Sequence, residues 1–477
     1  MERKPLRIAM ISLHSSPLGA VGTRDTGGMS IYIRELAKGL AGLGHSVDIF
    51  TRRQHKGQDP FLVLTEGVRV VHLDAGGWEP MPPAALSRHV QEFTRGVECL
   101  RAREGLAYDL LHSHYWLSGL VGRQLALSWR IPHVVLFHTL ALLKNRALGA
   151  VIEPQPRILA ERELCRDSDG IIATTNAERA ALAEWYGAPR NRVTVIPCGV
   201  DLNRFRPLNR YEARRSLGVA ANDPVLLYVG RFDPVKGLSD LLGAMSLIQN
   251  GRPVNLMLVG GDEDSASESR PVSALVDELD LGGRVTLAGR VAHERLPLYY
   301  SAADALVVPS HYESFGLVGL EALACGTPVV ATSVGAMRGL LADGRGGVLV
   351  RGGDPGALAD GLRRMLSEHE AGRYAADRVR AVVRTFDWSE IAAQMEAHYW
   401  DLLSRADRGA PSFPEGWPVL MSRTSDGAFE RVARGVSDRD SRGDERSSWS
   451  NSGNDRQKDF HGSRAEGRCY GGGGSSR

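Results

Sequence analysis

Residues 225–237 read VLLYVGRFDPVKG: five apolar residues, a glycine, a charged turn, and then a helical pattern over 238–249. A short, continuously apolar run that passes straight into a helix marks a strand buried on both faces of a parallel sheet. The same unit recurs outward in both directions. Upstream, apolar runs fall at 7–13, 47–51, 68–73, 110–113, 133–137, 170–175 and 193–196, with amphipathic segments at 29–43, 87–104, 157–167 and 177–186. Downstream, runs at 255–259, 285–288, 305–308, 328–331 and 347–350 alternate with helical patterns at 316–325 and 354–367. Such alternation predicts an α/β protein with doubly wound, Rossmann-like sheets. It breaks only at 197–207 (PCGVDLNRFRP), which carries two prolines, a glycine and no periodicity. That stretch reads as an interdomain linker.

The expected organisation is therefore a first half over 1–200, a second over 208–387, and a closing helix over 388–406 that can complete the first half or pack on the second. At ~150 residues per domain the 477 residues suit about three units, the third being a tail. Residues 411–477 are rich in Ser, Gly, Arg and Asp and poor in aliphatics. They bury too little apolar surface to offset ordering entropy, and the expectation is a disordered tail dispensable for chemistry.

Composition excludes several classes. A formal net charge of +2 sets up no single-signed field, which argues against a nucleic-acid partner or an anionic lipid surface. No apolar run approaches the ~18 residues of a membrane helix, the best candidate at 134–143 being interrupted by His138 and Thr139. The run 8–13 is too short for a signal peptide and leads into His14, so it reads as a first strand. Cys99, Cys165, Cys198, Cys325 and Cys469 are scattered singly, which suits buried thiols in a reducing, cytoplasmic compartment.

Three places carry residues suited to chemistry. Gly27 and Gly28 sit directly before the helical pattern 29–43, where backbone amides at a helix N-terminus can approach a phosphate. In the loop after 225–229, Gly230, Arg231 and Lys236 stand at the carboxyl edge of a parallel sheet, where ligands of such sheets bind. Two cations there can neutralise a diphosphate without a metal. The third element is HYESFGLVGLE, residues 311–321. Glu313 precedes the helix start and can accept from ligand hydroxyls, whereas Glu321 lies one to two turns along and suits a vicinal diol such as a ribose. Amides around Ser314, Phe315, Gly316 and Leu317 would meet the diphosphate, helped by the helix dipole.

With its context, the Glu313…Glu321 pair resembles the E-x7-E signature of retaining glycosyltransferases of the GT-B fold. Residues 229–237 are similar to their G-R-x-x-x-x-K-G loop, and residues 25–33 (DTGGMSIYI) to their first glycine loop. The segments 112–119 (HSHYWLSG), 137–139 (FHT) and 144–145 (KN) resemble D-inositol 3-phosphate glycosyltransferases of mycothiol synthesis, with sucrose-phosphate synthases as relatives of the same type. The likeness spans about residues 6–404. It implies two Rossmann-like domains facing a cleft, a nucleotide-sugar donor (UDP-glucose or UDP-N-acetylglucosamine) held by the second half, and a small acceptor held by the first. By that likeness Arg231 and Lys236 hold the diphosphate, Glu321 the ribose and Glu313 the donor sugar. Gly28 touches the phosphates from across the cleft, and His138 hydrogen-bonds the transferred sugar. No cofactor is implied, and Mg²⁺ is not required. Domain closure is expected to accompany catalysis, and a homodimer stays open.

On the acceptor side the resemblance points to Tyr115, Thr139 and Arg157. The family also places a Lys before the second long helix, but residues 76–86 (GGWEPMPPAAL) contain none. Loss of one phosphate ligand leaves inositol phosphate, another sugar phosphate, a sugar or a polyol open as acceptor. Other features have plainer readings. Asp262-Glu263-Asp264 looks like a metal motif but sits in a polar loop, and no metal site is assigned. His112 and His114 are read as pointing to opposite faces of their strand, and Trp388 as a packing anchor. Two rivals remain: a GT-B phosphorylase with a pyridoxal cofactor, and a non-catalytic nucleotide-sugar-binding protein.

Overall fold

The computed structural model describes residues 4–19, 27–248, 253–261, 266–406, 422–423 and 429–430. The first sheet has eight strands: β1 (Arg7–Ser12), β2 (Ser46–Arg52), β3 (Phe61–Thr65), β4 (Val68–Leu73), β5 (Leu110–His114), β6 (His133–Leu136), β7 (Gly170–Ala173) and β8 (Val193–Val195). Their spatial order is β3-β4-β2-β1-β5-β6-β7-β8. The second sheet contains β9 (Val225–Val229), β10 (Asn255–Val259), β11 (Val285–Gly289), β12 (Ala305–Val308), β13 (Val329–Thr332) and β14 (Gly347–Val350), in the order β11-β10-β9-β12-β13-β14. Strands such as β6 (HVVL) and β12 (ALVV) are buried along their whole length, because helices cover both faces.

The order of strand addition reverses between the parallel neighbours β1 and β5 in the first sheet and β9 and β12 in the second. Crevices for ligands open at the carboxyl ends of such neighbours. The loops that follow β5, β6, β9 and β12, and the helix that follows β1, carry most of the residues singled out in the sequence, and Arg157 stands on the helix Gln155–Asp167.

One strand departs from the all-parallel expectation. β3 pairs antiparallel with β4 at the sheet edge and is largely exposed. Without burial on either face it lacks the apolar contrast that marks the other strands. The helix Trp116–Trp129 was likewise not expected: it is buried on several sides, so no one-sided stripe appears in its sequence.

Both sheets belong to one compact unit. The crossing expected at 197–207 is clamped to the returning chain. Val200 bridges to Asp387, and its amide donates to the Phe386 carbonyl at 2.7 Å. The Arg380 guanidinium donates to the carbonyls of Leu202 and Phe205 at 2.6 Å each. The final helix, Trp388–Ala406, packs on helix Gly28–Gly42 of the first lobe. Contact is close at Gly39, where a Cβ would stand 2.7 Å from that of Ala392.

Of the tail, Ser422–Arg423 pairs antiparallel with Phe429–Glu430. The rest of 411–477 lies outside the described residues, as do Asp25 and Asp262 to Asp264 of the motifs above. Among the described residues no helix is long and apolar enough to cross a membrane. Cys165, Cys198 and Cys325 are buried free thiols, but Cys99 is exposed on a helix surface, contrary to expectation.

Candidate active site

The donor-side loop is built by strand ends and short caps. Gly230 follows β9, its amide donating to the Val259 carbonyl at 3.0 Å. The Arg231 carbonyl accepts from the Tyr228 hydroxyl at 2.6 Å, which leaves the guanidinium partly exposed, 3.6 Å from the Asp233 carboxylate. Asp233 caps the turn Pro234–Lys236 by accepting from the Val235 amide at 3.0 Å. That cap aims Lys236 across at Glu313: Nζ donates to Glu313 Oε1 at 2.7 Å, and the Ser310 hydroxyl donates to the same oxygen at 3.0 Å.

Gly316, with φ of +98°, caps the helix Leu317–Ala324, and among the described residues no side chain of the cap occupies its first amides. The Phe315 ring is buried against Phe386, so this residue anchors the loop while its backbone borders the site. Glu321 sits on the helix with its carboxylate buried. Oε1 lies 2.6 Å from His293 Nε2, and Oε2 accepts from the Tyr300 hydroxyl at 2.8 Å. Both oxygens are thus held in place beside a pocket lined by Glu35, Arg204, His293, Leu317, Glu321 and Trp388. A second pocket lies beside the ends of β9 and β10, between Phe232, Gly260, Gly261 and Gly289.

On the first lobe, Gly27 precedes and Gly28 opens the helix Gly28–Gly42, with no side-chain cap on its amides among the described residues. A Cβ on Gly28 would stand 3.1 Å from Leu317 Cδ1, so glycine lets the two helix starts approach. Tyr115 caps the helix Trp116–Trp129 at φ 78°, ψ 158°, a conformation that non-glycine residues seldom adopt. His138 has φ of +60° at the centre of a tight turn closed by the Thr139 amide on the Phe137 carbonyl at 2.7 Å. Strain of this kind persists where the surroundings over-determine the backbone, and it concentrates at functional sites.

Arg157 gathers the acceptor-side residues. Its guanidinium donates to the Thr139 carbonyl and hydroxyl at 2.8 and 2.9 Å, and stacks 4.7 Å above the Tyr115 ring. Glu161 and Glu153 pair with it at 2.8 Å each, and Lys144 reaches Glu153 at 3.0 Å. The loop 76–86 has no lysine, yet cations flank it. Arg52 donates to the Gly77 and Glu79 carbonyls at 2.6 and 2.9 Å, and Lys56 lies over the Trp78 ring.

The two sets meet. The Ser314 hydroxyl bonds the His138 carbonyl, and Thr174 Oγ1 donates to the Ser314 carbonyl at 3.2 Å. The Leu140 amide donates to the Tyr312 hydroxyl at 3.1 Å. Donor-side and acceptor-side residues are therefore joined across the cleft by hydrogen bonds between side-chain hydroxyls and backbone groups.

Sequence reading erred on the strand histidines. His112 and His114 are two residues apart, so they share a face, and their rings lie 4.3 Å from each other. His112 Nδ1 is 2.7 Å from the Tyr399 hydroxyl, and His114 Nδ1 is 3.0 Å from His138 Nε2. Burial pushes all three well below the usual histidine range, so the rings are neutral at physiological pH. Trp388 packs edge-on against Tyr32, as an anchor should, and also borders the Glu321 pocket. Tyr32, Thr174, His293 and Tyr300 escaped notice, because their roles arise only from contacts between distant segments. Among the described residues no three His, Cys, Asp or Glu side chains are grouped to hold a metal ion.

Two family models match this chain: glycosyl transferases group 1 over residues 209–381, and a glycosyl transferase 4-like domain over 27–199. The chain is 40% identical over 418 residues to a D-inositol 3-phosphate glycosyltransferase of Xylanimonas cellulosilytica, covering 85% of this chain and 98% of that one. It belongs to the group 1 glycosyltransferases. A second such relative, from Thermomonospora curvata, is 42% identical over 399 residues, covering 80% of this glycosyltransferase and 92% of its own length. Among solved structures, sucrose-phosphate synthase from Thermosynechococcus elongatus superposes with a TM-score of 0.78 at 36% identity, over 84% of this chain and 100% of that one. HepE of Anabaena, at 22% identity and a TM-score of 0.66 over 83% of this chain and all of its own, shares the GT-B fold.

Proposed function

We propose that this glycosyltransferase moves a hexosyl group from a uridine diphosphate sugar to a hydroxyl of a small acceptor, with retention at the anomeric carbon and no catalytic metal. UDP-glucose and UDP-N-acetylglucosamine are the donors we favour. The observation that carries the reading is the placement of Arg231 and Lys236 in one loop after β9, with Lys236 held by Glu313 of the loop after β12, and the start of helix Leu317–Ala324 packed against Gly28 of the other lobe. Fixed positive charge there offsets the charge that develops on a departing diphosphate. The C1–phosphate bond breaks with its electron pair passing to the phosphate oxygen. The acceptor oxygen bonds C1 from the same face, and its proton passes to that leaving oxygen. No glutamate then acts as a covalent nucleophile, which agrees with Glu313 being committed to Lys236 and Ser310.

In this reading Glu321, braced by His293 and Tyr300, takes the ribose hydroxyls, and the Phe232–Gly260 pocket takes the base. Glu313 and His138 meet the transferred sugar. The acceptor lies by Tyr115, Thr139 and Arg157. The relatives' names, inositol 3-phosphate enzymes and a sucrose-phosphate synthase, support a phosphorylated polyol or sugar in that place. A cytoplasmic location is consistent with both substrate classes. The deciding experiment crosses UDP-sugars with inositol phosphates, fructose 6-phosphate and simple polyols while following UDP release. An acceptor-dependent burst with unchanged anomeric configuration is expected; an inverted product, or release indifferent to every acceptor, overturns the proposal.

A further inference from the structure

His114 is fully buried at the end of β5, with its Nδ1 3.0 Å from Nε2 of His138. Its other nitrogen, Nε2, is buried without a hydrogen-bond partner among the described residues. The surroundings are aromatic: the Tyr32 ring stands edge-on at 5.8 Å and the His112 ring lies 4.3 Å away. Burial keeps both His114 and His138 neutral, so each ring carries a single N–H.

Two proton arrangements satisfy the 3.0 Å contact. If His138 donated from Nε2, the proton of His114 would sit on its own Nε2, an orphaned N–H in a buried place. If His114 donates from Nδ1, only a bare ring nitrogen is left there. Among buried backbone groups an N–H without an acceptor is rarer than an acceptor without a donor, and the same preference applied to the ring favours the bare nitrogen. His114 is therefore the donor, His138 accepts at Nε2, and the proton of His138 sits on Nδ1, since the bond made by one ring nitrogen decides the state of the other.

We propose that His114 is a positioning residue, which holds His138 in the Nδ1–H tautomer so that a ring N–H donor, and not an acceptor, faces the donor sugar in the cleft. The turn that sets His138 at φ +60°, and the contact of Ser314 with its carbonyl, fix the backbone; His114 fixes the ring. The inference rests on the reading above that His138 meets the transferred sugar, and it adds the chemical sense of that contact: His138 gives a proton bond to a sugar oxygen.

The test is a long-range ¹H–¹⁵N spectrum of the full chain labelled at histidine, with His138 assigned by its loss in His138→Asn. A protonated Nδ1 and a bare Nε2 are expected; a protonated Nε2 in the wild type overturns the proposal. In His114→Phe, which removes the ring N–H and adds a little volume, His138 is no longer held in one tautomer and turnover should fall about tenfold, as for loss of one hydrogen bond, with donor KM nearly constant. His114→Asn, whose amide stands where Nδ1–H stood, should restore both. Unchanged turnover in His114→Phe, or no rescue by Asn, removes the assigned role. Should His138→Ala leave turnover intact, the reading of His138 fails and the role of His114 with it, whereas the tautomer is still read from the spectrum.

Discussion

Lys236 Nζ stands 2.7 Å from Glu313 Oε1, and the two residues come from loops that follow neighbouring strands, β9 and β12, at the switch point of the second sheet. Arg231 stands in the same loop as Lys236, and the carboxylate holds the Lys236 cation in place before any diphosphate arrives.

Replacing Lys236 by Ala should lower kcat/KM for the donor by about 10²–10³, the usual loss when one preorganised charge on a leaving group is removed. Thermal stability should change little, because the pair is only partly buried. Rates of UDP release, measured beside a melting curve, check both halves of this statement. A variant that keeps wild-type kcat/KM would remove Lys236 from the chemistry.

If side chains supply the positive charge, chelation should leave turnover unaltered. Dialysis against EDTA, then assay with and without added Mg²⁺, is the measurement. Loss of activity that Mg²⁺ restores would defeat the metal-free reading.

Glu321→Ala should hurt both folding and donor affinity. It strands His293 Nε2 and the Tyr300 hydroxyl, two buried groups that now share its carboxylate. Each orphan costs about 1–3 kcal/mol, so the melting temperature should drop by several degrees. Calorimetric titration with UDP should show weaker binding even well below that temperature; undiminished affinity would mean that the carboxylate only braces the fold.

Gly28→Val should act on the closed cleft alone. The glycine already leaves only 3.1 Å between a Cβ position and Leu317 Cδ1. Overpacking by two further methyls strains the closed state by ~1–3 kcal/mol and should raise donor KM about tenfold. X-ray scattering of this variant with UDP should give a larger radius than the wild type; identical curves would count against the contact.

Acid should destabilise the protein early. Burial lowers His14 and His133 to about 3 and His398 to about 4, and lowers His112, His114 and His138 as well. The unfolded chain binds protons at these sites below pH ~6.5 while the folded chain does not. Their contribution is therefore complete above pH ~6.5 and declines as the pH falls towards the folded values. Melting temperatures should fall steeply between pH 6.5 and 5, and a flat profile over that range would contradict the buried neutral cluster.

The parallel strands were legible because burial on both faces leaves a continuous apolar run, as in β9 and β12, and because each run is followed by a helix of clear period. The exposed edge strand β3 and the all-round-buried helix Trp116–Trp129 were not, since neither leaves a one-sided pattern. The pairing of His112 with His114 was misjudged although strand alternation alone places residues two apart on the same face.

Residue types and spacings in the chain determined the family, the two Rossmann-like sheets and the identity of the charged loop residues, because strand alternation and turn chemistry are local properties. Tertiary structure decided what those residues do to one another. It bound Lys236 to Glu313, braced Glu321 with His293 and Tyr300, and linked His138 to His114 and, through its carbonyl, to Ser314. These partners lie from 21 to 176 positions apart in sequence, and no local preference brings such groups together. Only the packing of two sheets and the closure of the cleft set those distances, and with them the direction of each hydrogen bond.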